Sequence, residues 1–235
     1  MAKRLTDDQI KQYHSDGYVH PVAVLSDEEV REARAAIEAF EAKSGKLFDY
    51  PEKSKSYLLF DWADRLVRHP AILDAVEDII GPDIMVYHTT MWIKEPKTPQ
   101  YILWHQDGTY LYTEPQSVTG FWFALDDASK ENGCLYAIPG GQRGNLKTRF
   151  VRDGDGFATH TLEDSDFDLG KAIPLEARKG DLVMLHGRLP HASEYNRSDR
   201  SRHAYTLHVI DGTCAYPQEN WLQRPSDFPL RGFAS

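Results

Sequence analysis

The chain is poor in cysteine, in basic residues and in long apolar runs. Only Cys134 and Cys214 occur among 235 residues, in unrelated contexts, which excludes a disulfide scaffold or a cysteine zinc cluster. Lys and Arg number 27 against 36 Asp and Glu, for a net charge of -9. That balance argues against a nucleic-acid partner, which would require a basic face to displace counterions from phosphates. No run of roughly 18 apolar residues is present, so no membrane partner is expected. The opening Met1–Asp8 turns acidic where a signal peptide would be apolar, and the expectation is a cytoplasmic protein. Internal repeats, low-complexity tracts and Gly-, Ser- or Pro-rich linkers are also missing. What remains is 41% apolar and 11% aromatic, enough for a core that needs no staples.

The order of elements is helices first, strands after. Thr6-Asp7-Asp8-Gln9 is a capping box opening a short helix that should stop near Gly17. Ser26-Asp27-Glu28-Glu29 is a second, followed by Val30, Ala33, Ile37 and Phe40 at helical spacing. A third helix starts near Pro70, buries Ile72, Leu73, Val76 and Ile79 or Ile80, and ends at Gly81-Pro82. From Ile84 the composition turns to Val, Ile, Thr and aromatics. Strands are expected at 84–94, 99–107, 118–126, 133–138, 172–177, 181–186, 189–193 and 202–210, with 139–171 as a long loop. This is an α+β chain, mainly β, and about eight antiparallel strands suit a jelly roll, a sandwich or an irregular barrel. We read one domain over 1–235: helical support over 1–83, the β core over 84–210 and a C-terminal extension over 211–235.

Most of the ten histidines need no functional account; His14, His20, His69 and His160 fit exposed positions. His105-Gln106-Asp107 differs, because alternation puts Tyr101, Leu103, His105 and Asp107 on one face of a strand. An imidazole and a carboxylate so placed can aim at one point. A third ligand would come from His191 in Leu189-Pro190-His191-Ala192-Ser193. On the strand from Arg202, the residues Arg202, Ala204, Thr206 and His208 share a polar face, which fits water or a pocket equally well. In a pocket, the guanidinium fork would grip a carboxylate bidentately. His105, Asp107 and His191 together make the facial triad of non-haem Fe(II) oxygenases, leaving positions for a bidentate 2-oxo acid and O2. His186 is a weaker alternative ligand, and His203 and His208 have no evident partner.

The motifs Trp104-His105-Gln106-Asp107, Asn132-Gly133-Cys134-Leu135, Ile138-Pro139-Gly140, and Gly180-Asp181 leading to His191-Ala192-Ser193 and Arg202 occur in order. In this the chain resembles the phytanoyl-CoA dioxygenase family of Fe(II)/2-oxoglutarate oxygenases. Ser198–Arg202 and Glu219–Gln223 look most like its branch named for phytanoyl-CoA dioxygenase domain-containing protein 1. The resemblance implies a double-stranded β-helix, a cupin-like jelly roll with N-terminal helices packed on one sheet. It implies iron on His105, Asp107 and His191, and 2-oxoglutarate held by Arg202 and Ser193. Trp122 and Met91 would line that end of the pocket, and Lys55 would reach the co-substrate. Trp122 and Met91 also suit plain core packing, and Ser193 a local backbone bond. One departure is Gly140-Gly141-Gln142, where most relatives have Gly-Ser-His; it bears on the substrate mouth.

The expected reaction is hydroxylation of a C–H bond in a small or medium organic metabolite, coupled to conversion of 2-oxoglutarate to succinate. Aromatics at Trp92, Trp104, Tyr110 and Tyr112 suit a substrate with apolar surface. Arg143, Lys147, Arg149 and Arg152 are the scattered cations that a CoA thioester would use. Three rivals stand beside it: a halogenase, which would need the Asp107 position vacated; a zinc hydrolase, which leaves Arg202 without a role; and a catalytically silent ligand-binding jelly roll. The oligomeric state is not legible in the sequence.

Overall fold

A computed structural model describes residues 2–111, 113–146, 150–152, 158–160, 167–215 and 229–232. Tyr112, Lys147, Arg149 and the 219–223 motif lie outside the described residues. Helices α1 (Asp7–Asp16) and α2 (Asp27–Ser44) begin at complete capping boxes. The Thr6 hydroxyl accepts from the Gln9 N–H and the Gln9 side chain accepts from the Thr6 N–H; Ser26 and Glu29 do the same. Each such cap contributes about 1 kcal/mol. Between them runs β1 (Tyr18–Ala23), and after them come α3 (Asp61–Val67) and α4 (Pro70–Ile80). Neither β1 nor α3 is foreseen from the sequence. Pro70 stands at the first turn of α4, where a missing N–H costs nothing.

The remaining strands are β2 (Ile84–Lys94), β3 (Ile102–His105), β4 (Thr119–Ala124), β5 (Leu135–Ala137), β6 (Phe150–Arg152), β7 (Ala158–His160), β8 (Ile173–Leu175), β9 (Asp181–His186), β10 (His191–Ser193), β11 (Arg202–Asp211) and β12 (Pro229–Arg231). They form an antiparallel sheet in the order β1-β9-β4-β11-β2-β12 and a second in the order β3-β10-β5-β8. The two facing sheets make the jelly roll of a double-stranded β-helix, with the N-terminal helices packed on the larger one. Within 139–171, read above as loop, β6 pairs with β7 and short 3₁₀ turns form at Gly141–Arg143 and Leu169–Lys171.

Two apolar layers clamp the larger sheet. Val30, Ile37, Ile72 and Val76 from the helices pack against Phe121, Phe123, Tyr205 and Leu207. On the other face Trp122, Val183 and Ala204 meet Leu135 and Leu175 of the smaller sheet. Every residue of β11 from Arg202 to Ile210 is therefore buried, and its polar side lies inside the roll rather than in water. Among the described residues, no helix is long and apolar enough to cross a membrane.

Candidate metal and co-substrate site

The smaller sheet carries two of the three candidate ligands side by side. His105 on β3 stands in antiparallel register with His191 on β10. The strand ends at His105, earlier than 107, yet Gln106 stays extended (φ -126°, ψ 122°), so Asp107 still projects to the same side. Asp107 then opens a 3₁₀ turn, Asp107–Thr109. The Gln106 side chain donates to the Arg188 carbonyl at 2.6 Å, and the Gly108 N–H donates to the Gly187 carbonyl at 2.6 Å. These two bonds strap the Asp107 turn to the chain leading into His191.

The resulting geometry is a convergent His, Asp, His set. Their ligating atoms all lie within 4.8 Å of one another, and all three residues are buried. Asp107 Oδ1 is 3.5 Å from His105 Nε2 and 3.7 Å from His191 Nε2. Each imidazole is bonded through Nδ1 to the carbonyl two residues earlier: Leu103 at 2.7 Å and Leu189 at 3.0 Å. An Nδ1–H fixed in this way leaves the Nε2 lone pair facing the site. Burial, then the neighbouring His105, pushes His191 down to about 4, so its ring is neutral at ordinary pH. Burial pushes the Asp107 carboxyl up, but the imidazoles around it, His208 first, outweigh that and hold the group well below the usual carboxylate range. Two imidazole nitrogens and one carboxylate suit Fe(II).

The inward side of β11 holds a buried cation with unused donors. Arg202 is 1% exposed, and its Nη2 donates to the Gly133 carbonyl at 3.1 Å. Nε and Nη1 find no hydrogen-bond partner among the described residues, although the guanidinium lies over the Trp122 ring. Burial pushes Arg202 down to about 10, and it remains charged at neutral pH. A buried guanidinium with two idle N–H groups calls for a carboxylate, and the distal carboxylate of 2-oxoglutarate fits it. Gly133 has φ +83°, and a Cβ there would meet the Glu194 carbonyl at 2.4 Å. Only glycine delivers that carbonyl to Arg202. Ser193 shares the inward side of β10 with His191.

The remaining predicted residues separate. Lys55 is buried in a left-handed turn (φ 49°), donates its N–H to the Thr89 carbonyl, and its ammonium helps hold His88 below the usual imidazole range, after burial and His208. Met91 does not line the pocket. It stands opposite Tyr205 in register and packs in the helix-side layer, so the pocket role assigned to it is withdrawn. The inward residues of β2 are its neighbours Thr90 and Trp92, which bond to Thr206. Nor do Tyr101 and Leu103 simply continue the His105 face: Ser193 faces Ile102 while His191 faces His105, so an extra residue bulges β3 and resets the alternation. His186 is apart from the triad; it accepts from the Arg188 N–H and lies beside Tyr13. Gln142 donates to the carbonyls of His14 and Ser15, fastening its loop to α1.

Four residues that the sequence reading did not assign to the metal or the co-substrate border the site. His208 Nε2 lies 3.1 Å from Asp107 Oδ2, and the Tyr110 hydroxyl donates to Asp107 Oδ1 while its ring stacks on His105. His88 stacks on His208. Lys94, pushed down to about 7 by burial and then Arg202, donates to the carbonyls of Gln100, Ser193 and Glu194. Polar residues on the inward side of β2 and β11 are the signal that could have found three of them.

A jelly roll whose two sheets enclose buried His, Asp and His side chains has the architecture of the non-haem oxygenases. The chain belongs to the phytanoyl-CoA dioxygenase (PhyH) family, whose model matches residues 13–204. It is 37% identical over 200 residues to phytanoyl-CoA dioxygenase domain-containing protein 1 of Bos taurus, covering 80% of this chain and 68% of that one. It is 50% identical over 133 residues to phytanoyl-CoA dioxygenase 1 of Oryza sativa, covering 56% of this chain and 47% of the rice protein. The chain thus spans about half the length of that relative. Among solved structures, the non-haem alpha ketoglutarate dependent carbocyclase SnoK from nogalamycin biosynthesis is similar, with a TM-score of 0.74 at 28% identity, covering 98% of this chain and 95% of that one.

Proposed function

We propose that the protein is an Fe(II)/2-oxoglutarate-dependent dioxygenase that hydroxylates a C–H bond of a small or medium organic metabolite. The balanced reaction consumes 2-oxoglutarate, O2 and R–H, and yields succinate, CO2 and R–OH. His105 Nε2, Asp107 Oδ1 and His191 Nε2 would hold the iron. Arg202 and Ser193 would hold the distal carboxylate, with Trp122 as a wall and Lys55 nearby. When bound, iron supplies the activation of dioxygen. This chain's own residues fix the ligand tautomers, seat the dicarboxylate and keep the cavity dry. The observation carrying the reading is the pair of partnerless N–H groups on buried Arg202, in a chain that also gathers a buried His-Asp-His set.

The rivals fit less well. Asp107 fills the position that a halide would need, and a zinc hydrolase gives Arg202 nothing to do. The Arg143 guanidinium, one of the cations considered for a CoA phosphate, donates instead to the Ser15 carbonyl. The test is anaerobic addition of Fe(II) and 2-oxoglutarate to the protein. A visible charge-transfer band of the chelate is expected; its absence would overturn the proposal. Oxygen-dependent succinate formation across a panel of metabolites would then identify the substrate.

A further inference from the structure

We propose that His208 is a positioning residue that holds Asp107 Oδ2, so that the carboxylate presents Oδ1 alone to the metal, and that Gly120 is the cradle which makes this contact possible. The inference rests on the metal-site reading given above.

Three observations carry it. First, His208 Nε2 sits 3.1 Å from Asp107 Oδ2, whereas the candidate ligand atoms His105 Nε2 and His191 Nε2 approach the other oxygen, Oδ1. A carboxylate with one oxygen tied down in this way is a one-toothed ligand whose direction is fixed. Second, His208 is placed by register on both sides. It stands opposite Gly120 of β4 and opposite His88 of β2. The His88 ring stacks on it at 6.2 Å and 26° and is itself bonded to the Thr90 hydroxyl at 2.7 Å. Third, Gly120 leaves the space that the pair occupies. A Cβ at that position would lie 3.0 Å from Asp107 Oδ2 and 3.4 Å from His208 Cδ2 and Nε2. Even a methyl on β4 there would crowd the Asp107 oxygen and close against the His208 ring.

His208 Nδ1 is buried and has no partner among the described residues, so the tautomer that fits carries its hydrogen on Nε2, directed at Asp107. Tyr110 donates to the other oxygen, so the two carboxylate oxygens have separate donors and the group cannot rotate to exchange them without breaking both bonds.

The test is Co(II) binding to the chain stripped of metal, followed by calorimetry and by the visible d–d band, whose position reports coordination. His208→Leu should weaken Co(II) by roughly 10–100-fold, the usual cost of losing an outer partner of a ligand, and should shift the band as the carboxylate turns. His208→Gln, which returns an N–H at similar reach, should recover most of the affinity and the wild-type band. Gly120→Ala should weaken binding with a band shift of the same sense. Melting curves of the metal-free variants register any loss of folding separately, since a merely structural role would lower them without moving the band. If His208→Leu folds and keeps both affinity and band, the role of His208 is overturned. If wild type takes up no Co(II), the reading of the site itself falls first.

Discussion

The guanidinium carbon of Arg202 lies 5.4 Å from the centroid of the Trp122 ring, so indole covers the cation while Nε and Nη1 keep no hydrogen-bond partner. Stacking satisfies the face of a guanidinium but not its edge. Arg202→Met should therefore remove 2-oxoglutarate binding while sparing the metal. A charge-assisted hydrogen bond contributes about 2 kcal/mol, so the Kd for 2-oxoglutarate should rise roughly 30-fold or more. Calorimetry with 2-oxoglutarate, alongside Co(II) titration of the same variant, checks both halves.

Asp107→Ala would remove the one anionic ligand of the proposed metal site and leave His208 without its acceptor. Metal affinity should fall by more than the roughly 10–100-fold typical of an outer partner. Succinate formation coupled to substrate hydroxylation should cease. Retained turnover in this variant would refute the role of Asp107.

Met91→Ala should behave as a core substitution and nothing else. Opening a cavity beside Tyr205 should cost about 2–5 kcal/mol in urea unfolding. The folded fraction should bind 2-oxoglutarate as wild type does. A selective loss of co-substrate affinity at unchanged stability would return Met91 to the pocket.

Acid should destabilise the metal-free chain through its buried imidazoles. Burial pushes His186 down to about 4, with Arg188 and His14 adding to the effect, and His191 also lies at about 4. In the unfolded chain an imidazole titrates at about 6.5. Between those values the unfolded state binds protons that the folded state refuses, so the contribution is complete above pH ~6.5 and is lost as pH drops toward 4. His186→Gln should flatten the fall in urea midpoint between pH 7 and 5, measured with chelator present. An unchanged slope would show that His186 titrates normally in the fold.

Much of this was legible beforehand. The capping boxes at Thr6 and Ser26 and the proline at 70 announce helices because local groups satisfy local backbone. α3 has no such signal: Phe60 makes no capping bond, and the helix buries Trp62, Ala63, Leu66 and Val67 in contacts that only tertiary packing supplies. Met91 was misassigned because β2 is buried on both faces around it, so alternation left nothing to separate inward from outward. His105 and Asp107 could be paired from spacing alone. His208 could not, since Asp107 follows β3 of the smaller sheet while His208 stands on β11 of the larger one, and only the packing of the two sheets brings them together.

That long reach has a consequence for how the protein is made. Asp107 and His208 are 101 positions apart, and Arg202 also belongs to the late strand. During synthesis, His105 and Asp107 leave the ribosome long before His191, Arg202 or His208. A translation product stalled ahead of β11 thus carries His105, Asp107 and His191 but neither the imidazole that meets Asp107 nor the buried guanidinium, so completion of the site waits on the last long strand.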